Sequence, residues 1–206
     1  IGIVFKMIRG FAYLFNKKII KANYGNSFLN TPTITDLGNI GGVLPADLEG
    51  LEIKKEGNNW IGFVTGSNAI VRINFGTDVN NNSPSATNLG NLGQLAWPHE
   101  LHIFYHDNSW IGFVANRNNN SITRLVFGSS LLNTPTAYNF TNIGLTGGAS
   151  GIEVKQDKNN DFYAFVTDVL GQRIVRLAFG KNISSNNSPT ATTFNNLANA
   201  QQISRG

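Results

Sequence analysis

The chain repeats itself at a fixed spacing, and that periodicity limits its possible folds more than any other feature. Trp60–Gly76 reads WIGFVTGSNAIVRINFG, and Trp110–Gly128 reads WIGFVANRNNNSITRLVFG. An aromatic residue followed by glycine closes ANYG at Gly25, INFG at Gly76, LVFG at Gly128 and LAFG at Gly180, at intervals of 51, 52 and 52 residues. A base stands four residues before each glycine: Lys21, Arg72, Arg124 and Arg176. A proline turn follows each glycine: Asn30-Thr31-Pro32, Asn82-Ser83-Pro84, Asn133-Thr134-Pro135 and Asn187-Ser188-Pro189. An apolar segment begins at Leu51, Leu101 and Ile152.

Each repeat reads as four short strands. In the second, Leu51–Lys55 alternates apolar and charged residues, as a half-buried strand does. Trp60–Thr65 is an almost continuous apolar run, expected of a strand covered on both faces. Gly66–Asn68 supplies a hairpin turn and Ala69–Phe75 the third strand. Ser85–Leu89 is a short polar fourth strand, suited to a sheet edge. Four strands in roughly 50 residues cannot bury both faces of their sheet alone, but similar sheets stacked around an axis can. Tandem β-sandwiches need about 100 residues per module. An α-solenoid fails because no repeat holds a helical period. The expected fold is all-β, a β-propeller with four four-stranded antiparallel blades over 1–206. The blade boundaries fall at about 1–41, 42–93, 94–145 and 146–198, with 199–206 a lead-in to a further blade or a closing strand. A larger propeller, of which this is a part, is expected ahead of a closed four-bladed ring. A start at Ile1 also suggests a piece of something longer.

Composition agrees. Charged residues make up only 14% of the chain, so Asn, Ser, Thr and Gly must form much of the polar surface. That usage suits strands and tight turns more than helices. The net charge of +4 is spread singly and lacks the dense basic stripe of a nucleic-acid surface. No nucleic acid is therefore expected among the partners. The absence of cysteine excludes disulfides, thiolate zinc sites and cysteine nucleophiles. No apolar stretch reaches the ~20 residues of a membrane helix, so membrane insertion is not expected. Lys6 and Arg9 interrupt the apolar start, which also lacks a small-residue cleavage site and is not read as a signal peptide.

The phrases NNWIGFVTGSNAIVRINFG, SLLNTPTA and TNLGNLG resemble repeats of large secreted or surface proteins of Bacteroidetes. Those repeats are similar to NHL-type propellers and often accompany gliding-motility-associated sorting domains. The resemblance covers nearly all of the chain and is strongest from Gly25 to Pro189. It implies an extracellular or cell-surface location and no agreed activity. The first repeat departs from the pattern, with Phe11 at the tryptophan position.

Several residues are candidates for function. The repeated bases Lys21, Arg72, Arg124 and Arg176 would either bind an acidic polymer or, as the favoured reading, pack between blades and meet carbonyls or carboxylates of a neighbour. Glu52, His102 and Glu153 occupy matching first-strand positions and would face a central funnel. No cofactor is expected; lactonase-like propellers, similar to gluconolactonase and regucalcin, hold a divalent cation in such a funnel, and calcium there belongs to that alternative reading. His99, His102 and His106 cluster in sequence, but His99 and His102 are expected to face opposite ways and His106 to lie in the turn with Asp107. Trp97 precedes a first strand and could stack on a sugar ring, while Trp60 and Trp110 recur and are read as packing residues. Gly-rich Leu145–Gly151 is read as an interblade turn. No Gly-x-Ser-x-Gly elbow and no phosphate-binding glycine loop is present.

The expected function is a non-catalytic module of an exported bacterial surface protein, recognising glycan or protein through blade-face loops. The alternatives are a lactonase-like hydrolase with a cation in the funnel, and a structural spacer or filament subunit that self-assembles or continues into further blades.

Overall fold

The computed structural model describes the backbone of residues 2–7, 10–15 and 17–195, with side chains from 17 onward. It forms two compact units, Ile1–Asn91 and Leu92–Gly206, each holding two four-stranded antiparallel sheets. In the first unit, β1 (Gly2–Met7), β2 (Gly10–Phe15), β3 (Lys18–Asn23) and β4 (Thr33–Gly38) make the first sheet. β5 (Leu51–Glu56), β6 (Asn59–Gly66), β7 (Ala69–Gly76) and β8 (Ser85–Asn88) make the second. The other unit holds β9 (Pro98–His106), β10 (Ser109–Asn116), β11 (Ser121–Gly128) and β12 (Thr136–Phe140), then β13 (Ala149–Gln156), β14 (Phe162–Asp168), β15 (Arg173–Gly180) and β16 (Thr190–Phe194). Strands pair in chain order within every sheet, and the single 3₁₀ turn among the described residues is Ile40–Gly42.

Register shows why the repeat has its composition. Lys21, Arg72, Arg124 and Arg176 stand opposite Ala12, Phe63, Phe113 and Phe165 of their second strands. Within each unit, side chains on that face of the leading sheet look toward the following sheet, whose side chains of opposite parity look back. Ile111, Phe113, Ala115, Ile122 and Phe140 of the third sheet form one buried cluster with Ile152, Val154, Phe162, Ala164, Val166, Val175 and Leu177 of the fourth. In the first unit, Ile19 and Ile40 pack with Leu51, Val64, Val71, Ile73 and Phe75 of the second sheet. The two sheets of each unit thus share one core, which a single blade lacks. The fourth strands carry mostly exposed side chains, as sheet edges do.

Small residues mark close approaches. Gly62 and Gly112 stand where Phe75 and Phe127 rings press on the second strand, and the fourth sheet has Ala164 there. Gly66 was expected to serve the hairpin turn. Its φ is ordinary, however, and Ser67 carries the positive value of 45°. Gly66 is needed because a β-carbon there would collide with the Asp47 carbonyl of the entry loop.

Two other expectations are corrected. Phe11 pairs with Ala22 as Gly62 pairs with Ile73, so it occupies the small-residue position. The tryptophan position falls on residue 9, outside the described residues. The lead-in 199–206 also lies outside them. Leu145–Gly151 is only half a turn, since β13 begins at Ala149.

These contacts predict that Gly66→Ala lowers the unfolding free energy by about 3 kcal/mol through backbone collision, while Gly112→Ala costs under about 1 kcal/mol. Urea unfolding midpoints of the two variants would separate the cases.

Candidate functional site

The repeated bases bridge sheets. Lys21 Nζ donates to the Asn80 carbonyl and to Asn82 Oδ1, both at 2.6 Å. Arg124 Nη1 donates to the carbonyls of Ile183, at 3.1 Å, and Ser185, while its Nη2 reaches Asn186 Oδ1 at 2.5 Å. Lys21 and Arg124 therefore each enter the loop between the third and fourth strands of the following repeat. That loop is shaped the same way four times: the amides of Asn30, Asn81, Asn133 and Ser185 donate to the carbonyls of Ser27, Asp78, Ser130 and Asn182. The side-chain amides of Asn30, Asn81 and Asn133 also hold the carbonyls of Tyr24, Phe75 and Phe127. In the second repeat the equivalent asparagine is Asn81, not the Asn82 of the sequence motif, because one residue is inserted before Pro84.

The Arg124 guanidinium lies 5.7 Å from the Tyr138 ring centroid and 5.5 Å from that of Phe140. Burial pushes the guanidinium values of Arg72 and Arg124 down, and burial likewise lowers Lys21 against the opposing pull of Asp78. Arginine stays charged under such displacement. Pairing of both Arg124 Nη groups with oxygen atoms makes the buried charge tolerable, although its Nε has no hydrogen-bond partner among the described residues.

Glu52, His102 and Glu153 share one register position, opposite Phe63, Phe113 and Phe165. His102 Nδ1 and Glu153 Oε2 are 3.1 Å apart across adjacent first strands. Both glutamates are already neutralised on their own strands, Glu52 by Lys54 at 2.5 Å and Glu153 by Lys155. Among the described residues, no group of three or more His, Asp or Glu side chains is placed to hold a metal ion. The three histidines do not converge. His106 ends β9 instead of lying in the turn, which Asp107 and Asn108 form with positive φ. Seven residues of strand separate His106 from His99, or about 23 Å. The His106 ring meets the edge of Phe162, with centroids 4.7 Å apart.

His99 and Trp97 belong to a different place, the end of β9 where the chain enters the sheet. Trp97 is half-buried, with a φ of 51°, and its carbonyl accepts the Arg117 amide at 3.1 Å. Arg117 Nη1 lies 3.3 Å from His99 Nε2, and Ser150 Oγ lies 3.2 Å from His99 Nδ1. A guanidinium only donates, so Nε2 is the acceptor and Nδ1 carries the proton toward Ser150. The Asn118 amide donates to the Ala96 carbonyl at 3.3 Å, and Glu100, next to His99 in the chain, is exposed.

Sequence reasoning missed the anchors beneath this end. Asn116 and Asp168 occupy the position of Gly66 at the close of the second strand. Asn116 Oδ1 accepts the Ala96 amide at 3.2 Å, and its amide group donates to Ser121 and Thr123. Asp168, fully buried, accepts from the amides of Thr146 and Gly147 at 3.0 and 2.7 Å and pairs with Arg173 Nε at 2.9 Å. The available signal was a polar residue ending an apolar run: Thr-Gly, Ala-Asn and Thr-Asp in successive repeats. Trp60 and Trp110 face the cross-strand partners Lys55 and Tyr105 and serve packing.

Arg124→Met would leave three loop acceptors without their charged donor and is expected to cost about 2–4 kcal/mol by chemical denaturation, with Arg124→Lys restoring only part. Asp168→Ala is expected to cost about 3–5 kcal/mol, because Arg173 then loses its buried partner. Double-mutant cycles with Arg173→Ala would measure that coupling.

No protein-family model matches the chain, and no curated protein matches it. Solved structures do. The chain is similar to exo-β-1,3-galactanase from Phanerochaete chrysosporium, crystallised with β-1,3-galactotriose, at a TM-score of 0.52 and 10% identity over 71% of this chain and 38% of that one. It is similar to a thermostable family-43 glycoside hydrolase at a TM-score of 0.50 and 10% identity, over 70% of this chain and 52% of that one. It also matches the dihydro-heme d1 dehydrogenase NirN at 0.51 and 14% identity, over 84% and 32% respectively. The chain thus spans between 32% and 52% of the length of these three relatives. The likeness establishes the architecture, an all-β propeller, and does not extend to the NHL type or a bacterial group.

Proposed function

We propose that this chain is a non-catalytic binding module that recognises glycan through the entry loops at one end of its blades. The observation that carries the reading is the entry to the third sheet, where half-buried Trp97 holds the Arg117 amide through its carbonyl and, two residues on, His99 meets the Arg117 guanidinium and the Ser150 hydroxyl. Aromatic faces stack on the C–H faces of sugars, and a rim of planar polar groups holds their hydroxyls. Rigid strands below hold the loops in place, as binding sites on loops require. Two of the similar structures are glycan-acting proteins, which supports the ligand class without assigning an activity. A surface protein is the alternative ligand, and exposure on the outside of a bacterium, in an NHL-like repeat protein, fits the sequence resemblance.

The competing hydrolase reading draws on the His102–Glu153 pair and a cation in the funnel. It requires Glu52 or Glu153 to give up a lysine partner to a metal such as calcium.

A glycan array including β-linked galactans tests the proposal. Binding is expected, with Trp97→Ala weakening it at least about tenfold, the scale of one lost aromatic stack, while the circular dichroism stays unchanged. Bound calcium together with release of sugar from any arrayed glycan would overturn the non-catalytic assignment.

A further inference from the structure

The fourth sheet presents the same outer face as the third, but uncovered. Phe113 and Phe140 of the third sheet are 0% and 1% exposed, because the fourth sheet lies on them. Their register equivalents, Phe165 and Phe194, are 40% and 39% exposed. Arg176 sits between them as Arg124 sits between Phe113 and Phe140. Its guanidinium lies 5.6 Å from the ring centroids of both Tyr163 and Phe194. Arg124 spends its donors on two carbonyls and an asparagine of the following loop. Among the described residues, both arginines have a buried Nε without a partner, so the difference lies in the Nη groups: those of Arg176 make one side-chain hydrogen bond, to Thr192 Oγ1 at 3.2 Å.

We infer that this face is an interaction surface for one further sheet of the same repeat, docked as the fourth sheet docks on the third. The occupant is specified by what fills the equivalent site one repeat earlier. It must bring an apolar second strand against Phe165 and Phe194, and a loop between its third and fourth strands whose carbonyls face Arg176. That loop carries an apolar residue two positions before its hydrogen-bonded corner. The chain shows four versions of it, Phe28, Val79, Leu131 and Ile183, and Ile183 is the one buried against the third sheet. A sheet without the loop would cover the phenylalanines and strand the guanidinium, which is why a generic apolar partner does not fit. The inference is independent of the glycan reading and concerns a different end of the molecule's surface.

The test compares the chain with a version in which residues 147–198 are duplicated in tandem. Arg176→Met is expected to shift the melting temperature by under about 1 °C in the original chain and by about 4 °C or more in the duplicated one, where Arg176 has acquired the role of Arg124. Hydrogen exchange gives a second readout: the amides of β14 and β15 become protected on duplication. Equal melting shifts in the two chains, or unchanged exchange, would overturn the inference. So would light scattering showing that the original chain forms concentration-dependent dimers lost in Phe165→Asp, since the face would then belong to a second copy.

Discussion

A positive charge set into an apolar face is the interaction on which this architecture turns. Arg124 lies on the side of its sheet that also carries Ile111, Phe113 and Phe140, a surface that would otherwise accept any apolar partner. The guanidinium makes that surface selective. Covering it is favourable only when the covering sheet supplies oxygen atoms at the right place, and the next repeat does so with the carbonyls of Ile183 and Ser185 and the side chain of Asn186. Apolar area provides the driving force, while the charge fixes which sheet docks and in what register. Lys21 repeats the arrangement with a smaller, more hydrated head group and one carbonyl plus one side-chain oxygen.

At the other end of the strands, one geometrical problem has three chemical solutions. The entry loop must be fastened to the close of the second strand. In the second repeat the Asp47 carbonyl comes so near that only glycine fits at position 66. In the third, Asn116 reaches across to the Ala96 amide, and in the fourth Asp168 takes two amides and an arginine. The backbone path is kept while the side chain changes. Loops fastened in this way can vary in composition without loosening, which is what a recognition surface needs.

The parts legible in sequence were those set by periodicity. Strand two, strand three and the aromatic-Gly corner obey fixed spacing, so their number, order and facing could be read from residues alone. The bases could be assigned to blade packing because they recur. Where the reading failed, an insertion or a backbone contact had intervened. Phe11 was misplaced because the first hairpin is shorter than the others, and only the pairing of Ala12 with Lys21 reveals the shift. Asn82 was taken as the corner because Pro84 sits one residue late. Gly66 looked like turn chemistry because a collision with a carbonyl nineteen residues earlier leaves no trace in composition. Asp168 was passed over because an isolated acid gives no hint that two amides and an arginine converge on it.

Repetition also separates frame from function. Counting back five residues from Glu52, His102 and Glu153 gives Asp47, Trp97 and Gly148. The position two further on holds Glu49, His99 and Ser150, and the residue after each second strand is Ser67, Arg117 or Val169. Size, charge and aromaticity all change at these sites, although in the third and fourth repeats the backbone around them is held by equivalent hydrogen bonds, from Arg117 to Trp97 and from Val169 to Gly148. A position that serves the stacking of blades faces the same demand in every repeat and keeps its chemistry, as Arg72, Arg124 and Arg176 do. A position that serves a ligand faces a demand met once. The indole, guanidinium and imidazole at the entry to the third sheet have no counterpart in the second or the fourth, so the packing common to the repeats does not account for them.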